Sequence, residues 1–231
     1  MKTIVFNLAA VWLLSISAAP LTGCNKDPNF VPRNLIQTHQ PGGYANINSG
    51  DCQYNLDKLP VESLSDAEKA SLLYMREEEK LAHDVYVTLY AKWGLNIFNN
   101  IQSSEQTHTD AVLMLLQKYQ VPDPAGANGI GVFANADLQT LYHQLIQQGN
   151  QSATEALKVG ALIEEVDMLD LKNALDSVVN NQDIRLVYEN LYRASGNHLR
   201  AMVRNLASRG ITYVPQRLSQ AEYEAIINGG R

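Results

Sequence analysis

Glu105-Gln106-Thr107-His108 sets a carboxylate and an imidazole three residues apart within a strongly helical segment. Residues at i and i+3 share a helix face. That face also carries Ile101, Val112, Leu115 and Tyr119 at helical spacing, so the pair is directed into an apolar core and away from water. A buried ionised carboxylate needs a counter-charge, and a metal ion supplies one.

Three more long helices surround this one. The first opens at Ser65-Asp66-Ala67-Glu68, which has the S-x-x-E form of a capping box, and runs to Trp93 before Gly94 ends it. The second, bearing the Glu105/His108 pair, spans about Asn96 to Gln120. A Pro/Gly/Asn-rich connection follows, with a short amphipathic helix at Leu138 to Gln148. Ser152-Ala153-Thr154-Glu155 reads as another capping box and opens a third long helix to about Val179. A tight turn at Asn180 to Asp183 leads into a fourth that ends at Gly210. Strand signals are nearly absent. Two hairpins of helices joined by one long connection predict an all-α four-helix bundle with a crossover between helices two and three; a simple up-down bundle with a decorated loop is the competing topology.

Acids and histidines recur at core-facing positions. On the third helix Glu164 lies within the stripe of Leu157, Gly160, Ala161, Met168 and Leu171, with Asp167 one turn on. On the fourth, His198 is flanked at core spacing by Val187, Leu191, Met202 and Leu206. On the first, Glu77, Glu78 and Glu79 are consecutive. Glu78 shares a face with Tyr74, Leu81, Val85 and Leu89, and Glu79 with Leu72, Met75, Ala82, Tyr86 and Trp93, so both are core candidates. Glu77, near Lys80 and Asp84, is expected to be solvated. A lone histidine on an apolar face is usually a hydrogen-bonded core residue, but the coincidence across helices favours a shared site. Tyr86, Tyr90, Tyr119, Tyr188 and Tyr192 lie on helices that border it, and His39 and His143 are read as incidental.

These residues resemble the ferritin-like di-metal carboxylate proteins, which place one glutamate on each of two helices and an E-x-x-H pair on each of the other two. Glu79-Lys80-Leu81-Ala82-His83-Asp84-Val85-Tyr86 is similar to the first-helix pattern of rubrerythrins, which favours Glu79 over Glu78. Glu105-x-x-His108 resembles the second-helix motif, Glu164 with Asp167 the third-helix acids, and His198 the fourth-helix histidine. Ser195 stands where the fourth-helix glutamate is expected, so the site is complete on one arm only. Met75 to Ala82, Ser195 to Ala201 and Tyr213-x-Pro215-Gln216 resemble more closely a bacterial ferritin-like family, domain of unknown function 2202. The resemblance implies metal ligands drawn from Glu78, Glu79, Glu105, His108, Glu164, Asp167 and His198. It also implies two iron ions, or manganese, and ferroxidase or peroxidase chemistry. A bundle that has lost its redox chemistry and serves as a binding or structural module at the cell envelope is the alternative.

The flanks bound the setting. Lys2, the apolar run from Ile4 to Ala19, and Leu21-Thr22-Gly23-Cys24 resemble the leader and lipobox of a bacterial lipoprotein. That implies cleavage after residue 23 and a lipidated Cys24 held in the membrane, outer membrane or cell surface in a Gram-negative cell. An ordinary signal peptide or a single membrane helix are the other readings. Residues 24–60, rich in Pro, Gly, Asn and Gln, are expected to form a flexible tether, 61–213 the bundle, and 214–231 a C-terminal extension with a short helix. Lipidation of Cys24 leaves Cys52 without an intrachain disulfide partner. At 231 residues, 45% hydrophobic and 18% charged, the chain supports one well-cored domain. The net charge of −6 argues against nucleic acid. The expected partners are metal ions, the membrane and a second copy in a homodimer.

Overall fold

The computed structural model describes residues 30–39 and 42–229. The leader, the lipobox and Cys24 lie outside the described residues. Four long helices form the body: α2 (Asp66–Trp93), α3 (Asn96–Lys118), α5 (Ala153–Ser177) and α6 (Gln182–Ala207). Before them come strands β1 (Ile36–His39) and β2 (Tyr44–Ile47) and helix α1 (Ser49–Lys58). Helix α4 (Ala136–Gly149) lies in the crossover, and α7 (Gln220–Asn228) follows the bundle.

Local chemistry sets the helix ends. Ser65 and Glu68 make the full reciprocal capping box at the start of α2, and Gly94 closes it in the left-handed region at φ 64. Ser152 caps α5 by accepting from the Glu155 amide, but the return bond of a box is not made; the Glu155 carboxylate takes Gln148 and Lys158 instead. Glu68 has a second task, accepting from the amides of Asn180 and Asn181 at the start of α6. One carboxylate thus satisfies orphan N–H groups at two helix N-termini.

The topology follows from which residues meet. Arg76 on α2 reaches Thr109 on α3, and Glu79 reaches His108. Tyr74 reaches Asp170 on α5, while Tyr86 reaches Gly160 and Glu164. Neighbouring helices therefore run antiparallel. Because α2 and α6 each pack on both α3 and α5, the latter two face each other across the diagonal and run parallel. The connection from Tyr119 to Ser152 must return the chain along the length of the bundle, which excludes the simple up-down topology.

Two readings of the sequence need correction. The stretch assigned to a flexible tether is part of the fold from residue 30 onward: β1 and β2 form an antiparallel hairpin in the register Ile36↔Ile47 to His39↔Tyr44, and β2 packs on α3 and α6. Leu35, Ala45, Ile47, Cys52 and Leu56 are buried there. Gly43, at φ 81, allows the approach, since a Cβ at this position would fall 2.7 Å from Ile97 Cδ1. Glu77 is also not solvated. It is 3% exposed and accepts from the amides of Ala134 and Asn135, while Asp84 accepts from Gly131, so the pair fastens the crossover to α2.

The apolar interior is split in two. One cluster contains Leu81, Val85, Leu89, Phe98, Ile101 and Met202; the other contains Leu72, Met75, Val112, Leu115, Val187 and Leu191. Between them, at mid-height, lie the acids and histidines. Among the described residues no helix is long and apolar enough to cross a membrane.

Replacing Glu68 by Ala removes the return half of the α2 capping box and the acceptor for the amides that enter α6, and is expected to cost about 2 kcal/mol or more, since these bonds are charge-assisted. Ser65→Ala removes one cap and should cost about 1 kcal/mol. Urea unfolding midpoints rank the two variants; equal midpoints would contradict the double role.

Candidate metal centre

Each of the four long helices contributes to the central layer because the helical repeat brings one or two of its acids and imidazoles to the same height: Glu79 from α2, Glu105 and His108 from α3, Glu164 and Asp167 from α5, His198 from α6. Glu105, His108 and His198 are the tightest group, offering ligand atoms that all lie within 4.8 Å of one another. His108 Nδ1 is 2.9 Å from Glu105 Oε2 and 3.4 Å from Glu79 Oε2. His198 Nδ1 is 2.9 Å from Glu105 Oε1 and 3.4 Å from Glu164 Oε2. The two imidazoles stack, with centroids 5.4 Å apart and planes at 18°. Both histidines are fully buried, and Glu79, Glu105 and Glu164 are each about 2% exposed.

The surrounding shell orients these groups. His108 Nε2 lies 2.7 Å from the Ala45 carbonyl. A carbonyl can only accept, so Nε2 carries a proton and Nδ1 is the nitrogen left for a ligand role. The hairpin that supplies Ala45 is itself held by Ser104 and Thr107, whose hydroxyls accept from the amides of Ala45 and Ile47. Asn197 donates to the Tyr44 carbonyl beside His198. Tyr86 donates to Glu164 Oε1 at 2.5 Å, and it is the one tyrosine of the five singled out that hydrogen-bonds to the centre. Tyr119 bonds Asp183 and Tyr188 bonds Ser71, both at the far end of the bundle.

The serine in place of the fourth-helix glutamate has a partner. Ser195 Oγ hydrogen-bonds to Asp167 Oδ2, leaving Asp167 Oδ1 buried with no partner. The α5 acid therefore stands on the side where the α6 acid is missing. Glu78 is buried as well but turns toward α5, where Asp170 and Asp167 oppose its charge, whereas Glu79 turns toward His108. The sequence-derived set is thus brought together as Glu79, Glu105, His108, Glu164 and His198, with Asp167 adjoining and Glu78 set aside toward the α2/α5 interface.

Three contributors escape sequence reasoning. Ala45 acts through its backbone, Asp170 sits at the rim of the layer beside Glu78 and Tyr74, and Glu165 is wholly buried beside Glu164. Glu165 accepts from the Tyr213 hydroxyl and from the amides of Gln216, Arg217 and Leu218, so the Tyr213-x-Pro215-Gln216 motif wraps a buried carboxylate behind the centre. The consecutive Glu164-Glu165 pair was the available signal.

The electrostatics fit a cation. Burial, with Asp170 and Asp167 beside it, holds Glu78 well above the usual carboxylate range; burial and the Glu79 charge do the same for Asp167. Burial raises Glu79 to about 7 and also raises Glu164. Burial opposes the charge on His198, but Glu164 and Glu105 outweigh it and lift the imidazole to about 9; Glu105 likewise lifts His108. Glu105 also feels burial, yet His108 and His198 together hold it well below its ordinary value. Protons are thus drawn in to balance an excess of negative groups, the job that divalent ions perform in such a layer. Glu79 Oε1, Asp167 Oδ1 and both ring nitrogens of His198 lack an aligned hydrogen-bond partner, so the residues present fit a metal.

Fold and centre together define an all-α bundle with a buried carboxylate–imidazole layer at mid-height. The chain belongs to the family described as "Uncharacterized protein domain (DUF2202)", which matches residues 68–230. It is 51% identical over 173 residues to the uncharacterized protein MJ0754 of Methanocaldococcus jannaschii, covering 75% of this chain and 93% of that protein. A crystal structure of the hypothetical protein MJ0754 from Methanococcus jannaschii superposes with a TM-score of 0.72 at 52% identity, over 74% of this chain and 97% of that one. This relative is archaeal, so the expectation of a purely bacterial family is too narrow.

The metal-free protein has a definite pH signature. Glu79, raised from 4.5 to about 7, destabilises the fold progressively as pH rises through that interval. His198, raised from 6.5 to about 9, contributes stability that is full below 6.5 and lost as pH rises through 9. Both act in one direction, so thermal midpoints of chelator-treated protein should fall between these limits as pH increases, and Glu79→Gln should flatten the portion below 7. Bound divalent metal reverses the trend, since its ligands must be deprotonated. A rising midpoint in the metal-free protein contradicts the assignment.

Proposed function

We propose that this protein is a ferritin-like di-metal oxidoreductase, with iron or manganese at the centre, anchored to the cell envelope through Cys24. The observation that carries the reading is the bifacial pairing of Glu105: Oε2 faces the His108 imidazole and Oε1 faces that of His198. A carboxylate whose two oxygens each pair with a different imidazole divides the layer into two half-sites. Glu79, His108 and Glu105 Oε2 would hold one ion; Glu164, His198 and Glu105 Oε1 the other. Asp167, held by Ser195, would supply the further carboxylate on the side where the fourth helix lacks one. Oxygen donors with two imidazoles favour iron or manganese over zinc, which prefers fewer ligands in tetrahedral array.

Held by these residues, two ferrous ions would supply one electron each, enough with two protons to take dioxygen to hydrogen peroxide, or hydrogen peroxide to two waters. The chain's own groups do the remaining work. The apolar clusters above and below exclude water, and the Ala45 carbonyl fixes the His108 tautomer. Tyr86 orients Glu164 through its hydroxyl. The anchor rests on Leu21-Thr22-Gly23-Cys24 and the apolar run before it.

Protein purified without chelators is expected to carry two equivalents of iron or manganese. Replacing both Glu105 and His108 by Ala should lower this to below one. A metal-free wild type as stable as the loaded form would refute the reading. Stopped-flow oxidation of the ferrous protein by dioxygen against hydrogen peroxide separates ferroxidase from peroxidase chemistry.

A further inference from the structure

The metal assignment makes no use of a cleft on the outer side of α6. It measures about 410 Å³, opens where β1 and α7 flank that helix, and has the size of a small-molecule site. Arg193 and Arg200 line it from α6, two turns apart and so on one helix face. Met168 and Gly196, both buried, form its floor, and Ile36, Tyr192 and Ile226 its walls. Among the described residues no carboxylate lines it, in a chain whose net charge is −6.

Both guanidinium groups keep unused donors. Arg200 Nη1 donates to the Ile226 carbonyl at 3.2 Å, while its Nε is buried with no partner. Arg193 spends Nε on the Glu189 carbonyl and Nη2 on Asn190 Oδ1. Among the described residues neither arginine makes an ion pair, and Nη2 of Arg200 and Nη1 of Arg193 meet no acceptor. Burial and the neighbouring Arg204 charge both oppose protonation of Arg200, so its guanidinium is partly desolvated beside a like charge with no anion to offset it. An oxyanion satisfies such a pair, because it accepts several charge-assisted bonds at once. The aliphatic and aromatic walls favour an apolar body attached to it. A Cβ on Gly196 would lie 3.5 Å from Met168 Cε and 3.8 Å from Arg200 Nη1, so the missing side chain keeps the space over the floor clear.

We propose that this cleft binds a small organic anion, with its carboxylate or phosphate held by Arg193 and Arg200 and its apolar body against Ile36, Tyr192 and Ile226. Thr38, exposed on β1, adds a hydroxyl to the lining. Met168 and Gly196 directly follow Asp167 and Ser195 in the chain, so the anion lies against the α5/α6 side of the central layer without joining its ligand set. The site stands on the cleft alone and does not depend on the di-metal reading.

Calorimetric titration with phenyl phosphate, benzoate and inorganic phosphate tests the site. Phenyl phosphate or benzoate should bind saturably at one equivalent, and the tighter of the two identifies the oxyanion that the arginines prefer. Inorganic phosphate, lacking the apolar body, should bind roughly tenfold more weakly than phenyl phosphate. Arg200→Gln should weaken the tighter ligand roughly tenfold, the loss of about one charge-assisted bond. Arg193→Gln, at an exposed position, should act in the same direction and serves in its place should Arg200→Gln fold poorly. Gly196→Leu, which fills the cleft while keeping both arginines, should abolish binding with the helical circular dichroism unchanged. Absence of binding by all three anions overturns the proposal. Binding that survives both Gly196→Leu and the arginine substitutions also overturns it, since the anion then sits elsewhere, the metal centre included. Equal affinities for phenyl phosphate and inorganic phosphate overturn the assignment to an organic anion.

Discussion

Charge taken out of water is the constraint on which this structure depends. Five carboxylates and two imidazoles occupy the middle of a bundle whose interior is otherwise aliphatic and aromatic, so the core is two apolar clusters with a polar layer between them. Removing the partner of one such buried charge typically costs about 3–5 kcal/mol. The layer is tolerated because each of its members except Glu78 is paired across helices: Glu79 with His108, Glu105 with both imidazoles, Glu164 with His198 and Tyr86, and Asp167 with Ser195. The four helices are therefore held in register by polar contacts as well as by packing, and a slip of one residue along any of them would strand an ionisable group in hydrocarbon.

The asymmetry of the layer follows from one substitution in the pattern. With Ser195 on α6 in place of an acid, the hydroxyl is too short to reach the centre and instead holds the longer-reaching Asp167 of α5. Glu105 is left as the only carboxylate that spans the two halves by its own oxygens. The layer therefore has two chemically similar halves, each an imidazole, a glutamate and one oxygen of Glu105, that meet at Glu105 on the α3 side and are bordered by Asp167 on the other.

The helices, their caps and the residues of the layer could be read from the sequence because each rests on local periodicity or on a short-range bond, as with Ser65 and Glu68 or the i,i+3 pair Glu105/His108. What could not be read depends on distant partners. Glu77 resembles a surface acid until the amides of Ala134 and Asn135, supplied by the crossover, come to meet it. Glu165 gains its purpose only from Tyr213 to Leu218. The hairpin defeats sequence reasoning most completely: its strands are four residues each, contain Gln, Thr, His and Asn, and bury mainly Ala45 and Ile47, so neither composition nor alternation separates it from a linker. The choice between Glu78 and Glu79 needed the rotation of α2, which two adjacent apolar stripes leave undetermined.

The hairpin also bears on the order in which the molecule assembles. The Ala45–His108 bond closes a loop of 63 positions and the Tyr44–Asn197 bond one of 153, against 3 for the pair within α3. Loop-closure entropy must be met before such contacts yield anything, and the surface on which β2 rests exists only once α3 and α6 lie side by side. The hairpin precedes α3 and α6 in the chain, yet it is consequently among the last elements to settle. Until it does, His108 lacks the acceptor that holds its tautomer, so the donor atoms of the central layer acquire their final orientation at the end of folding rather than at its nucleus.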